Sequence, residues 1–126
     1  MLIGVPKEIK NHEYRVGLTP ESVAELVHFD QEVIVEAGAG AGIGASDDAY
    51  RNAGATIVET AAQIFARADM IIKVKEPQAG ECAMLRPGQI LYTYLHLAPD
   101  PEQTRALIKS GAVCFAYETV TDAQGG

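Results

Sequence analysis

The stretch that decides the fold opens with Leu2-Ile3-Gly4-Val5, passes through Thr19-Pro20-Glu21-Ser22-Val23-Ala24-Glu25-Leu26-Val27 and closes on Val33-Ile34-Val35. The first and last runs are short, rich in β-branched residues and apolar throughout rather than alternating, the pattern of strands covered on both faces. Between them, Thr19 before Pro20 is an N-cap followed by a first-turn proline. Val23, Leu26 and Val27 then fall on one face at helical spacing. The unit therefore reads as strand, helix, strand.

Outward from it the same grammar recurs. Strand-like runs stand at 56–58, 70–74, 89–94 and 112–116. Helix starts stand at Ser46 with Asp47 and Asp48, at Thr60 with Gln63, and at Asp100-Pro101 with Gln103 ahead of Ala106, Leu107 and Ile108, which Gly111 stops. Alternating strands and helices predict an α/β fold: a doubly wound, mostly parallel sheet with helices on both faces, flavodoxin-like or Rossmann-like. The 126 residues suffice for one domain and leave no room for two. The terminal Thr121-Asp122-Ala123-Gln124-Gly125-Gly126 reads as an interrupted loop, so the chain is expected to be one domain of a truncated protein.

With 48% apolar and 21% charged residues the composition is that of an ordinary globular domain. A formal charge of −7 argues against nucleic acid as partner, because that binding needs concentrated lysine and arginine. Cys82 and Cys114 form no close pair and no metal-ligand spacing with His12, His28 or His96, so reduced thiols and no metal site are expected. The opening segment is charged too early for a signal peptide, and no apolar run approaches the ~20 residues that cross a bilayer. The expected location is cytoplasmic, away from membranes.

In an open parallel sheet, ligands bind beyond the carboxyl ends of the strands. After the first predicted strand come Lys7, Glu8 and then Glu13-Tyr14-Arg15; after the fourth, Lys75-Glu76-Pro77; after the fifth, His96. Arginine grips a carboxylate with two parallel hydrogen bonds, a lysine ammonium pairs with a carboxylate or polarises a carbonyl, and histidine moves protons near neutrality. Singly, Arg15 and Lys75 read as solvated loop charges and His96 as a surface residue; together on one edge they suit a small 2-oxo or 2-amino acid. His12, His28 and Glu118 carry no assignment.

The segment Gly38-Ala39-Gly40-Ala41-Gly42-Ile43-Gly44-Ala45 mimics a relaxed dinucleotide fingerprint, read as Gly40-x-Gly42-x-x-Ala45 with Glu59 as a ribose acceptor. A true fingerprint opens a helix inside the glycine turn. Here the cap at Ser46-Asp47-Asp48 follows the glycines and brings negative charge that repels a phosphate. The loop is expected to be a flexible connection near the substrate cleft, and no residue of the chain is assigned to cofactor binding.

Four ordered motifs add a resemblance. Ile3-Gly4-Val5-Pro6-Lys7-Glu8-Ile9-Lys10-Asn11 runs on through Glu13-Tyr14-Arg15-Val16 to Leu18-Thr19-Pro20. Val35-Glu36 with Gly38-Ala39-Gly40, Val74-Lys75-Glu76-Pro77 and Leu91-Tyr92-Thr93-Tyr94-Leu95-His96-Leu97-Ala98 complete it. Over essentially the whole chain this resembles the N-terminal region of the alanine dehydrogenase and nicotinamide nucleotide transhydrogenase α-subunit family, and of bacterial alanine dehydrogenases in particular. The resemblance implies reversible oxidative deamination of L-alanine to pyruvate and ammonia with NAD as hydride acceptor. It further implies Arg15 and Lys75 at the substrate, Lys75 and His96 in catalysis, and homo-oligomers, often hexamers. A catalytic aspartate and the nucleotide-binding glycine loop belong, in such enzymes, to a later domain. Transhydrogenase α subunits typically lack the Tyr-Leu-His found at Tyr94 to His96, and the segments of saccharopine dehydrogenases look less like these. A stand-alone, non-catalytic domain that binds a small carboxylate is the remaining alternative.

Overall fold

The computed structural model describes residues 1–9, 14–75, 78–93 and 109–116, the last three of these by their backbone. Strand β1 (Leu2–Val5) leads to helix α1 (Pro20–His28), β2 (Glu32–Glu36), a 3₁₀ turn at Ala41–Ile43, α2 (Asp47–Asn52), β3 (Thr56–Val58), α3 (Ala61–Arg67), β4 (Met70–Lys73), α4 (Ala79–Met84), β5 (Ile90–Thr93) and β6 (Val113–Ala116). The strands form one sheet in the order β3-β2-β1-β4-β5-β6, and every pairing is parallel. The predicted doubly wound α/β architecture is the observed one.

Local chemistry explains the elements. The Thr19 hydroxyl accepts from the Ser22 amide at 3.2 Å, with Pro20 in the first turn. Ser46 caps α2 by accepting from Ala49 at 3.1 Å. Thr60 and Gln63 form the reciprocal capping box of α3. Helix α4 was not anticipated: it is a short helix with Gly80 in its first turn, too brief to show a stripe, and it is held instead by a box between Gln78 and Glu81. The expected helix ahead of Gly111 lies mostly outside the described residues, although residues 109 and 110 are helical and Gly111 has φ 75°.

Strand alternation sends side chains into two cores. Ile3, Val5, Val33 and Val35 pack with Val23 of α1 and Tyr50 of α2. On the opposite face, Ile34, Ile71 and Leu91 pack with Ile64 and Phe65 of α3 and Cys82 of α4. Both faces being covered is why the strands are apolar throughout. Cys82 is buried, and burial followed by the charge of Glu81 pushes its pKa up, so it behaves as a small apolar core residue.

The strand order reverses between β1 and β4, since the chain winds outward through β2 and β3 and then returns to β4 on the other side of β1. Such a switch point leaves a crevice at the carboxyl ends, because the connections on either side depart in opposite directions. Among the described residues no helix is long and apolar enough to cross a membrane.

Candidate functional site

At that crevice the connection from β1 to α1 carries Lys7, Glu8, Tyr14 and Arg15, and β4 ends into Lys73, Val74 and Lys75. Glu8, Lys73, Glu81 and Thr93 are all buried. Lys73 Nζ lies 2.9 Å from Glu8 Oε1 and 3.1 Å from Glu81 Oε2. The second contact is an ion pair at hydrogen-bonding distance, and among the described residues Glu81 Oε2 has no other hydrogen-bond partner. Burial therefore outweighs the attraction of Lys73 and raises the Glu81 pKa. Removing one member of a buried ion pair strands a charge, at a cost of about 3–5 kcal/mol.

This network ends on the backbone of Lys75. Glu8 Oε2 accepts from the Val74 amide at 2.9 Å, and Oε1 accepts from the Lys75 amide at 3.3 Å. From the other side, the Thr93 hydroxyl at the end of β5 shares its single proton between the carbonyls of Val74 and Lys75, each at 3.3 Å. Lys75 itself is half-buried.

Arg15 stands on the exposed side of the crevice and lines two adjoining clefts. One, of about 370 Å³, also has Lys7, Glu8, Tyr14, Gly38 and Gly42 in its wall; the other, of about 290 Å³, has Val16, Thr19, Ile43 and Val74. Close packing holds the segment that carries Arg15. A Cβ on Gly42 would sit 2.1 Å from the Tyr14 carbonyl oxygen, and one on Gly17 would sit 2.4 Å from that of Ile72. Only glycine permits the glycine-rich turn and β4 to approach residues 14–17 this closely. Farther along, the Tyr50 hydroxyl donates to the Leu18 carbonyl at 2.7 Å. Burial, then the nearby charge of Glu21, pushes that phenol up to about 12.

The glycine-rich segment does not suit a dinucleotide. Its Gly38 amide donates to Asp47 Oδ1 at 2.9 Å, and the neighbouring Glu36 carboxylate accepts from the Lys7 amide at 2.8 Å. Two carboxylates thus stand at the start of the turn, where a pyrophosphate would be repelled. The segment lies beside the cleft as expected, but it is a hydrogen-bonded turn rather than a flexible connection: Ile43 N bonds Gly40 O at 3.1 Å and Ala45 N bonds the same oxygen at 3.0 Å. Glu59 is exposed, and its amide joins the α3 cap by donating to Gln63.

The structure thus brings the Arg15 and Lys75 segments to one crevice. His96, like His12 and Glu118, lies outside the described residues. Sequence reasoning missed Lys73, Glu81 and Thr93, and passed over Glu8. The available signal was a lysine inside the apolar run Ile71-Ile72-Lys73-Val74, because a charge in a strand buried on both faces requires a buried partner.

Comparison with known proteins agrees with this fold. A curated alanine dehydrogenase of Halomonas elongata is 54% identical over 126 residues, which are 100% of this chain and 34% of that protein. A solved L-alanine dehydrogenase superposes with a TM-score of 0.90 at 47% identity, covering 94% of this chain and 32% of the other. A transhydrogenase from Sinorhizobium meliloti follows at 0.86 and 34% identity, covering 92% and 34%. The chain thus spans about a third of the length of the proteins it matches. The family model described as alanine dehydrogenase/PNT, N-terminal domain, matches residues 4–126, and the chain belongs to that family.

Proposed function

We propose that these residues form the substrate-holding domain of an NAD-dependent L-alanine dehydrogenase, an oxidoreductase that interconverts L-alanine with pyruvate and ammonia. The observation that carries the reading is the convergence of the Arg15 segment and the doubly anchored Lys75 backbone at the switch point of the sheet. The greater likeness to alanine dehydrogenases than to a transhydrogenase favours the amino-acid reaction.

In this reading Arg15 grips the substrate carboxylate with two charge-assisted hydrogen bonds. Lys75 pairs with the carboxylate or polarises the 2-oxo oxygen, and His96 transfers a proton as the imine forms and hydrolyses. NAD, when bound, supplies the hydride acceptor. The poor fit of the glycine-rich segment to a pyrophosphate supports a nucleotide site in a domain outside these 126 residues, as does the length of the relatives. By itself the domain would hold substrate groups without turnover. A cytoplasmic homo-oligomer, with the hexamer the expected form, completes the proposal.

The decisive test is NADH formation by the complete gene product with L-alanine against glycine, serine and saccharopine. Alanine is expected to be the preferred substrate, and no alanine oxidation would refute the reading.

A further inference from the structure

We propose that Glu8 is a positioning residue, which sets the backbone of Lys75 and so aims that side chain at the substrate held by Arg15. The proposal rests on the reading of Lys75 given above.

The ladder between β1 and β4 runs only through Ile3↔Met70 and Gly4↔Ile71. Past that point the two strands part, and two successive amides of the β4 chain, Val74 and Lys75, turn to a side chain. Glu8 receives both, one on each carboxylate oxygen, at 2.9 and 3.3 Å. Lys73 Nζ, at 2.9 Å, gives it a third donor. A carboxylate with three protein donors on two oxygens, and a side chain 2% exposed, is committed to the protein. It is therefore poorly placed to take a proton from substrate, and its effect has to pass through what it holds.

What it holds sits at the centre of the site. Glu8 also forms part of the wall of the cleft that Arg15 lines, so one residue links the Arg15 cleft to the Lys75 backbone. Thr93 completes the clamp from β5 through the Lys75 carbonyl. An apolar group of similar volume paired with an uncharged residue 73 could serve folding as well as a buried ion pair does. What such a replacement cannot do is accept two adjacent amides in a defined geometry. A displacement near 1 Å in a substrate-contacting group can cost on the order of a hundredfold in rate, so the clamp has kinetic consequences that its stability contribution does not capture.

The test uses the complete enzyme, with steady-state kinetics and thermal unfolding measured side by side. Glu8→Gln should lower kcat/KM for alanine by roughly ten- to a hundredfold, mainly through KM, and leave KM for NAD unchanged. It should also lower Tm, because Lys73 loses its closer carboxylate. Adding Lys73→Met and Glu81→Gln to Glu8→Gln removes the whole buried charge cluster; Tm should recover while alanine KM stays high, because a single amide oxygen at position 8 cannot take the Val74 and Lys75 amides as the two carboxylate oxygens do. Glu8→Asp keeps the charge and withdraws the carboxylate by one methylene, and should show the same kinetic loss in smaller degree with little loss of Tm. Return of alanine KM to the wild-type value together with Tm in the triple variant would overturn the proposal, leaving Glu8 a purely stabilising residue. A Lys75→Ala enzyme that oxidises alanine with wild-type constants would instead overturn the reading of Lys75, which the Glu8 series alone does not do.

Discussion

Two connections leave the same edge of the sheet and border the same cleft, yet they are built from opposite materials. The one after β1, residues 6–19, carries charge: Lys7, Glu8 and Arg15. It is anchored through the buried contacts of Glu8 to Lys73 and to the amides of Val74 and Lys75. The one after β2, residues 37–46, carries glycine and alanine, and its polar groups satisfy one another, Gly38 with Asp47 and Ile43 with Gly40. A loop most of whose amides are already taken, with the Asp47 carboxylate at its first glycine, has little to offer an anionic ligand. Only the first connection brings a cation to the cleft wall, and the second shapes that wall by pressing against Tyr14.

The largest effect that would break this contrast belongs to Arg15. Arg15→Ala in the complete enzyme should lower kcat/KM for alanine by about a hundredfold or more, since two charge-assisted hydrogen bonds are worth roughly 1.5–3 kcal/mol each and each ~1.4 kcal/mol is tenfold. Arg15→Lys should recover little of it, because a single ammonium does not reproduce the fork. A variant that keeps the wild-type kcat/KM would mean that the first connection does not bind substrate.

Gly42→Ala separates the two roles more finely. Its new Cβ would meet the Tyr14 carbonyl oxygen at 2.1 Å, so the Arg15 segment must shift. Alanine KM should rise about tenfold with KM for NAD unaltered. A rise confined to NAD would show that the glycine-rich turn touches the nucleotide after all.

Tyr50→Phe should cost about 1 kcal/mol in denaturant unfolding, the value of one hydrogen bond, because the Leu18 carbonyl loses its donor while the ring still fills its place. The hydroxyl belongs to the frame around the Arg15 segment, so the catalytic constants should move less than the stability.

The smallest effect concerns the charge behind the first connection. Glu81 has a folded-state pKa above its ordinary 4.5, chiefly through burial. The folded protein therefore holds that proton more tightly than the unfolded chain, and the associated stability is complete below about 4.5 and lost as pH rises through the raised value. Glu81→Gln abolishes this titration. The stability of wild type relative to the variant should accordingly fall as pH increases above 4.5, read from unfolding curves at several pH values. A difference that grows with pH would show that attraction to Lys73, rather than burial, governs the carboxyl.

Much of this organisation was legible in the residues. Thr19-Pro20, Ser46 and Thr60 with Gln63 announce helices because a cap is a local bargain between a side chain and amides two or three residues away. Helix α4 escaped because six residues are too few for periodicity to show. Glu8 escaped for a different reason: beside Lys7 it reads as an ordinary loop charge, and its partners stand 65 to 67 residues away.

By itself the sequence determined the class of fold, since continuous apolar runs separated by capped helices can bury both faces only in a layered α/β sheet. It also determined which residues carry charge to the strand ends and that Asp47 and Asp48 stand directly behind the glycines. Only the tertiary structure decided the strand order, and with it that β1 and β4 are neighbours at the switch point. Strand order follows from which distant segments bury one another best, a property of the whole packed chain. That neighbourhood turns Glu8 from a surface carboxylate into the buried acceptor of the Lys75 backbone.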